Sequence, residues 1–419
     1  MRKTALIAGA TAAALAVALA GCGSSSSSTK SADSSAPKSG APINVGVVTS
    51  LSGGYASGFL TVENGVKARF AVENAKGGVD GHKLTYTMAD DASTAAGALA
   101  ATNKLIKQDK VFAILDGSPV FYGAAAAAKQ AAMPVMGVSF DGGDYWHDKS
   151  YSTFFDTTGN VDFSLVPTTY GAFFKSQGCT KVGGIGNTGP SSGRAAEAAV
   201  LSAKNAGLQG GYLETKLAPG TTDIGPQVIA LKNSGTDCIF VPVTPSLAFA
   251  LVAGLKQAGV SMKSILLATG YGGDILKNKA GLALANGVDF ATAWAPVELQ
   301  TDATKAFQDA LSKYAGETSV PTFGEYVGWG LADLFIHGLQ KAGGDASQAD
   351  LVKAISGSTD WSDGGLFSQP VNFADPVPSA VGVDNCDYIV KLQGNAFKPI
   401  AGASPACGKI VEGVKTTAS

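Results

Sequence analysis

The feature that most constrains the fold is a regular alternation of short apolar runs with helical stretches of ten or more residues. Apolar runs typical of buried strands occur at 43–48, 84–88, 111–115 and 134–138. Helical patterns separate these runs, the first of them at 58–74 and the second ending near Gln108. Strands that alternate with helices in this way predict a parallel sheet covered by helices on both faces.

The same alternation starts again in the middle of the chain. A helix is predicted at 161–176, and the strands that follow it at 181–186, 211–215, 238–241 and 265–268. Later helices are predicted to end near Asn205 and to span 223–233 and 246–257. Two successive runs of strand and helix predict an α/β protein built from two doubly wound parallel sheets.

The N-terminus has the pattern of an export signal. Arg2 and Lys3 precede an apolar run at 5–20, which is too short and too rich in alanine to be a good membrane-spanning helix. The run closes on Leu-Ala-Gly-Cys at 19–22 and looks like a bacterial lipoprotein signal, in which Cys22 carries the lipid. Several acyl chains together would hold the protein at a bilayer.

The residues that follow predict a flexible tether. Residues 22–41 are rich in serine, with lysine, proline and glycine, and such a stretch cannot bury apolar surface. We therefore expect 1–21 to be a lipoprotein signal peptide and 22–41 to be the lipid anchor and linker. The folded part begins near Pro42, and the protein is expected outside the cytoplasm, anchored to the cell membrane at its periplasmic face or at the cell surface.

The other four cysteines predict two disulfides. An even number of cysteines in an exported chain favours disulfides, and no paired C-x-x-C or nearby histidine supports the alternative of a zinc site. Cys179 and Cys238 precede or begin strands that are neighbours in a sheet ordered 2-1-3. Cys386 and Cys407 bracket a predicted hairpin, whose base a disulfide would close. We expect Cys179 to pair with Cys238, and Cys386 with Cys407.

Composition excludes several functions. The 31 basic and 33 acidic residues balance, and no basic stripe suggests a nucleic-acid partner. No second apolar run is long enough to span a bilayer. The chain has three histidines, so few candidate ligands are available for a catalytic metal ion.

Two short motifs in one loop suggest other functions. Residues 184–189 spell G-x-G-x-x-G, the pattern of a dinucleotide site, but 190–193 is expected to lengthen the loop before the next helix. Residues 189–193 spell G-x-S-x-G, which would make Ser191 a hydrolase nucleophile served by His337. Because His337 lies in a predicted packed helix, we interpret both motifs as one glycine-rich turn.

The folded part resembles a known family. A first strand at 43–51 is followed by a Gly-Gly-Tyr loop at 53–55, and the segment 70–84 contains a helix, the turn Gly-Gly-Val-Asp-Gly and a second strand. The segment 324–344 resembles the family's long helix near the end. These features are similar to the type I periplasmic-binding-fold lipoproteins of ABC transporters, in the leucine/isoleucine/valine-binding group. The match covers about 42–373.

The resemblance implies two lobes joined by three crossovers, near Asp156, Trp294 and Gly365. The first lobe would comprise 42–156 and 295–364, and the second 157–294 and 365–419. The implied function is to capture a small molecule between the lobes and deliver it to the permease subunits of an ABC transporter. The protein would be a monomer that needs no cofactor and catalyses no reaction. A ligand sensor for a membrane receptor is the alternative, and an exported hydrolase using Ser191 is a weaker one.

The resemblance also implies where the ligand lies, at the carboxyl ends of strands from both sheets. Contacts are expected from loops after the strands and from the crossovers, at these positions: Tyr55, Ser118, Ser139, Phe140, Phe155, Ser192, Thr244, Tyr271 and Trp294. Amino-acid binders of the group usually place an acid near Thr244, and here none is present, with Asp141 and Asp274 the nearest substitutes by sequence. Hydroxyls with aromatic side chains therefore predict a mostly apolar ligand with one polar end, such as a branched or aromatic acid or amide.

Overall fold

The structure is a computed structural model that describes residues 40–277 and 279–418. The predicted signal peptide, the lipidation at Cys22 and nearly all of the linker lie outside the described residues. Within the described residues, no helix combines the length and the apolar character needed to cross a membrane.

The first sheet has five parallel strands in the order β2-β1-β3-β4-β5. The strands are β1 (Ile43–Thr49), β2 (Leu84–Asp90), β3 (Ile114–Gly117), β4 (Val135–Gly137) and β5 (Phe154–Asp156). The helices between them are α1 (Ala56–Phe59), α2 (Val62–Ala75), α3 (Ala95–Lys107) and α4 (Ala125–Gln130). The helix predicted at 58–74 is thus two helices, because the backbone of Thr61 leaves the helical conformation between them.

The second sheet forms from the middle of the chain. A short strand, β6 (Leu165–Pro167), leads into α5 (Thr168–Ser176), so the predicted helix at 161–176 is wrong in its first half. Alternating elements follow: β7 (Lys181–Asn187), α6 (Pro190–Asn205), β8 (Gln209–Leu217), α7 (Gly225–Ser234), β9 (Cys238–Val241), α8 (Pro245–Gln257), β10 (Ser264–Leu267), α9 (Gly273–Leu276), α10 (Lys279–Ala285) and β11 (Asp289–Thr292). Strands β8-β7-β9-β10-β11 are parallel.

The chain then returns to the first sheet. It forms α11 (Asp302–Ala310), a π-helical turn at Leu311–Ala315, α12 (Phe323–Ala342) and α13 (Gln348–Ser356). Helix α12 packs on α2 so closely that a Cβ at Gly65 would lie 2.2 Å from Glu325 O, and one at Gly328 would lie 1.9 Å from Val62 O. Glycine is required at this crossing because the two backbones nearly touch.

The last segment completes the second sheet. Strands β12 (Cys386–Gln393) and β13 (Ala396–Pro399) form an antiparallel hairpin beside β11, and β14 (Ala406–Cys407) pairs with the start of β12. The final strand, β15 (Ile410–Lys415), pairs with β6. We call the first sheet with α1–α4 and α11–α13 the first lobe, and the second sheet with α5–α10 the second lobe. The chain passes between the lobes at 157–164, 293–301 and 357–385, which confirms the predicted α/β fold with three crossovers.

Both predicted disulfides are present. Cys179 is bonded to Cys238, and Cys386 to Cys407. The first links the starts of the neighbouring parallel strands β7 and β9, as the 2-1-3 order requires. The second joins two directly paired residues of β12 and β14, at the base of the hairpin.

Candidate ligand-binding cleft

A cavity opens between the carboxyl ends of the parallel strands of the two sheets. Its volume, including the opening to solvent, is about 1030 Å³, which suits a small molecule. The first lobe supplies the walls at Tyr55 and Phe140, and the second supplies the ends of β7, β9, β10 and β11. All three crossovers reach the cavity, at Val161, Trp294 and Val381. Ligand sites in open α/β sheets lie at this edge, because the loops that leave the strands converge there.

The lobes contact each other across the opening of this cavity. The hydroxyl oxygens of Ser57 and Ser246 are 3.0 Å apart, and the Ser191 hydroxyl donates to the carbonyl of Phe140. Arg194 Nη1 donates to the carbonyl of Gly142 at 3.2 Å. Each of these contacts joins one lobe to the other, so the structure shows the cleft in a closed arrangement.

Five of the nine predicted contact residues line the cavity. They are Tyr55, Phe140, Ser192, Thr244 and Trp294. Tyr55 precedes α1 and points at the second lobe, where a Cβ at Gly189 would lie 3.0 Å from its hydroxyl. Burial raises the pKa of Tyr55 to about 12, so its hydroxyl stays a neutral hydrogen-bonding group. The ring of Phe140 packs on Phe323, with centroids 5.3 Å apart.

The other four predicted residues lie elsewhere in the interior and do not line the cavity. Ser118 donates to Asp91 Oδ2 at 2.5 Å, and the Ser139 hydroxyl lies 3.0 Å from that of Thr158. Phe155 packs edge-on against Phe373. The Tyr271 hydroxyl donates to Glu298 at 2.7 Å and accepts from the amide of Val297. The hydroxyls of Ser118, Ser139 and Tyr271 are thus bonded to other protein groups and not directed at the cavity.

Three of the hydroxyls that line the cavity donate to backbone carbonyls. Ser192 donates to the carbonyl of Pro242, and Thr269 donates to that of Val243 at 2.5 Å. Ser191 is occupied by Phe140, as described above. The Asn187 side chain accepts from the amide of Gly189 at 2.8 Å. The wall presented to a ligand is therefore more apolar than its residue types indicate.

Two helices begin at this cavity and direct their N-termini at it. Helix α6 starts after Gly189 and α8 after Thr244, each with a proline in its first turn. The N-terminus of a helix carries partial positive charge and amide N–H groups without helical partners. Because α6 begins directly at Pro190, the expected lengthening of the loop by 190–193 is wrong. A proline at the first helical position is favourable, since the missing N–H would have had no helical partner.

The geometry gives Ser191 no histidine partner. His337 lies on α12 in the first lobe, where its Nε2 is 2.7 Å from the hydroxyl of Ser358. Ser191 lies at the start of α6 in the second lobe, with its hydroxyl on the Phe140 carbonyl. The G-x-S-x-G match is therefore a strand-to-helix turn without the arrangement of a serine hydrolase. Among the described residues, no cluster of three or more His, Cys, Asp or Glu side chains could hold a metal ion.

Sequence reasoning missed an acidic residue in the cavity wall. Asp387 near the start of β12 lines the cavity, and its Oδ2 accepts from the hydroxyl of Tyr170 at 3.1 Å. Burial raises the pKa of Asp387 to about 7. It is the only Asp, Glu, Lys, Arg or His among the lining residues of the described chain. Tyr170 was missed as well, because the predicted helix at 161–176 placed it in mid-helix, whereas α5 begins at Thr168.

Comparisons with known proteins agree with this architecture. A family model described as periplasmic binding protein matches residues 42–395. The fatty acid ABC transporter substrate-binding protein from Thermomonospora curvata is 21% identical, with a TM-score of 0.72 over 88% of this chain and 93% of that one. An ABC transporter solute-binding protein from R. palustris in complex with benzoate is 16% identical, with a TM-score of 0.73 over 89% and 99%.

A third similar structure was solved with an amino acid. The branched-chain amino acid transporter substrate binding protein from Streptococcus pneumoniae, in complex with isoleucine, is 17% identical, with a TM-score of 0.68 over 90% of this chain and 100% of that one. No curated protein matches the chain. At these identities the similar structures establish the fold.

Proposed function

Because the chain belongs to the periplasmic binding protein family, we propose that it captures a small, mostly apolar molecule between its lobes and delivers it to the permease of an ABC transporter. Members of this family bind solutes and are not enzymes. The observation that carries the proposal is the cavity of about 1030 Å³, lined by both lobes and by all three crossovers. A ligand that contacts both lobes stabilises the closed arrangement, and the permease would recognise that arrangement.

The character of the wall supports the ligand class. Aromatic and small apolar side chains dominate it, among them Phe59, Phe240 and Trp294. Such a wall favours a flat or branched apolar body and disfavours a ligand with several charges, because buried charges without partners are costly. The similar structures from R. palustris and Streptococcus pneumoniae hold benzoate and isoleucine, which each join an apolar body to a carboxylate.

The polar end of the ligand has a place in this wall. A carboxylate or amide oxygen would lie at the starts of α6 and α8, where Ser192 and Thr244 line the cavity. Helix N-termini bind such oxygens through their free N–H groups and their dipole. We propose Tyr55, Phe140 and Trp294 as the contacts to the apolar body.

The lobes move about the crossovers in this proposal. We take 42–156 with 295–364 as the first domain and 157–294 with 365–419 as the second. Trp294 lies in the second crossover and stacks on Tyr326 at 5.8 Å and on Phe367 at 6.2 Å between ring centroids. Its position lets one ring contact both the ligand and the hinge.

A ligand screen on the full-length chain tests the proposal. Branched and aromatic acids and their amides should raise the melting temperature, and a ligand at a hundred times its dissociation constant should stabilise the fold by about 2.7 kcal/mol. A polyamine and a phosphorylated sugar serve as controls. Stabilisation by either control, with none by any apolar acid, amide or amino acid, would overturn the proposal.

We also propose that the protein is a monomer outside the cytoplasm, held at the membrane by lipid on Cys22. The complete Leu-Ala-Gly-Cys sequence at 19–22 supports this. Replacing Cys22 by serine should move the protein from the membrane pellet to the soluble fraction. A variant that stays in the pellet would show that the anchor lies elsewhere.

A further inference from the structure

Asp387 reaches the cavity from β12, a strand that runs antiparallel to its neighbour β11 in the second sheet. Strand β12 runs antiparallel to β11, with Tyr388 opposite Thr292, so the start of β12 lies level with the carboxyl end of β11. Side chains alternate between faces along a strand, so Asp387 shares a face with Ile389. That face is covered by α5, which places Tyr170 against Asp387.

The surroundings of Asp387 are apolar apart from one hydroxyl. Only 4% of the residue is exposed. The ring of Tyr170 packs on that of Phe240 at 4.6 Å between centroids, and Ala291 and Val381 complete this part of the wall. No lysine, arginine or histidine is among the residues that the structure shows lining the cavity. The carboxylate therefore meets a hydrogen-bond donor but no counter-charge.

A second buried acid of the same sheet shows the contrast. Asp289, at the start of β11, is fully buried, and its Oδ1 lies 2.9 Å from Lys391 Nζ while its Oδ2 accepts from Ser264 at 2.7 Å. The sheet thus supplies a cation for a buried carboxylate that faces away from the cavity. Asp387 is also a buried acid of this sheet, but it lies at the opposite end of the strands. Its side chain faces the cavity and has no such cation.

We propose that Asp387 is a specificity-determining residue that binds a protonated amine on the ligand. This rests on the proposed function, and it narrows the ligand to a small apolar molecule that carries one amino group, apolar amino acids included. The ammonium group would supply the counter-charge that the wall lacks, and buried ion pairs gain most when each partner is also hydrogen-bonded. The Tyr170 hydroxyl supplies that hydrogen bond, and the neighbouring aromatic faces attract a cation.

Calorimetry on the full-length chain tests this with ligands that share one apolar body. Phenylalanine, 2-phenylethylamine and 3-phenylpropanoate form one set, and leucine, 3-methylbutylamine and 4-methylpentanoate form another. We expect the amine-bearing members of at least one set to bind about 30-fold or more tightly than the acid that lacks nitrogen, since an unpaired buried charge partner costs at least that factor. This comparison needs no variant.

Asp387→Asn keeps the shape of the side chain and removes its charge. It should lower the affinity for the amine-bearing ligand about 30-fold or more, and change the affinity for the nitrogen-free acid by no more than about threefold. Asp384→Asn is the matched control, because Asp384 is an exposed acid three residues away and should leave all affinities unchanged. Tyr170→Phe keeps the carboxylate and should retain the preference for the amine.

The outcomes separate the inference from the proposed function. If nitrogen-free acids bind as tightly as their amine counterparts, Asp387 does not recognise an amine, while the solute-binding proposal stands. An Asp387→Asn variant that keeps full affinity for an amine would have the same meaning. If no acid, amide or amine with an apolar body binds at all, both proposals are wrong.

Discussion

The carboxyl ends of the two sheets face one cleft, but the two lobes use their acidic residues differently. In the first lobe Asp91, Asp116, Asp141 and Asp156 lie at or beyond the strand ends, and all four are buried outside the cavity wall. In the second lobe Asp387 alone among the acids reaches the wall in the described chain. Acids of the first lobe organise loops, whereas the acid of the second lobe faces the space for a ligand.

The hydrogen bonds of the first lobe explain this division. Asp156 accepts from the amides of Ser139, Thr158 and Val161 and from the Thr158 hydroxyl. Buried donors must be paired, so these bonds hold the loop after β4 and the first crossover in place. Asp116 has an oxygen without a partner among the described residues, yet it is sealed from the cavity. In the second lobe, small residues lie at the carboxyl ends of β10 and β11, Ala268 and Ala291. Their side chains leave Asp387 open to the cavity.

The largest effect that tests this comparison is expected from Asp156→Ala. The change leaves three buried amides without an acceptor, those of Ser139, Thr158 and Val161, and we expect the free energy of unfolding to fall by about 4 kcal/mol. Urea denaturation of the full-length chain measures it. Asp162→Ala is the control, because Asp162 accepts a single amide, that of Ser164, and should cost about 1 kcal/mol. If both variants lost the same free energy of unfolding, Asp156 would not have the structural role that we propose.

The pH dependence of stability gives the next largest effect, in the second lobe. The folded state holds the proton of Asp387 up to a pKa of about 7, whereas the unfolded chain releases it near the ordinary value for an aspartate. The acid therefore makes the wild type less stable as pH rises from about 4 to about 7, by on the order of 3 kcal/mol. Burial holds the pKa of Tyr170, the titratable group in contact with it, well above its usual range, so Tyr170 stays neutral throughout.

Asp387→Asn should remove this dependence. The variant should become more stable relative to the wild type as pH rises through that window, and the difference should be level above about pH 8. Groups elsewhere, such as Asp141, whose pKa is raised to about 6 by burial, cancel in the difference. Denaturation of both proteins at four pH values measures it. A difference that stays constant from pH 4 to pH 8 would show that Asp387 is not buried in an apolar setting.

A smaller effect separates residues that line the cavity from residues that only lie near it. Phe140→Ala removes part of the wall and should weaken ligand binding by about 2 kcal/mol, or about 30-fold. Tyr271→Phe removes a hydroxyl that is bonded to Glu298 outside the cavity, so it should cost about 1 kcal/mol of stability and leave affinity unchanged. Calorimetry and thermal melts of both variants measure these quantities. If Tyr271→Phe weakened ligand binding and Phe140→Ala did not, Tyr271 would be a ligand contact and Phe140 would not.

Local patterns were sufficient to predict the two parallel sheets and the disulfides, whereas the three crossovers were predicted from the family resemblance. The alternation of strand and helix determines two parallel sheets, and the 2-1-3 order brings Cys179 beside Cys238 whatever the loops do. The candidate contacts were predicted less completely, because position after a strand shows which loop reaches the cleft but not where a side chain points. Ser118 and Ser139 lie in such loops, and their hydroxyls turn inward to Asp91 and Thr158.

Asp387 could not be predicted in this way, for a topological reason. Its strand pairs antiparallel with β11, which precedes it by about a hundred residues, so its start and not its end lies at the cleft. A search for acids after strands therefore passes over it. The signal that could have found it is an acid next to Cys386, at the start of a strand whose disulfide fixes it beside β14.

The smallest effect concerns an exposed ion pair between the lobes. Arg194 Nη1 in the second lobe lies 3.1 Å from Asp144 Oδ1 in the first, and the Asp144 side chain is 88% exposed. Exposed pairs contribute about 0.5 kcal/mol, so Asp144→Ala should weaken ligand binding about twofold, because the pair forms only when the lobes meet. Salt at about 1 M should remove the difference from the wild type, since it screens exposed charges. The control is Asp109→Ala, which breaks the pair with Lys104 inside the first lobe and should leave affinity unchanged. A tenfold loss in Asp144→Ala that persists at high salt would mean that closure depends on this pair more than on the apolar cavity.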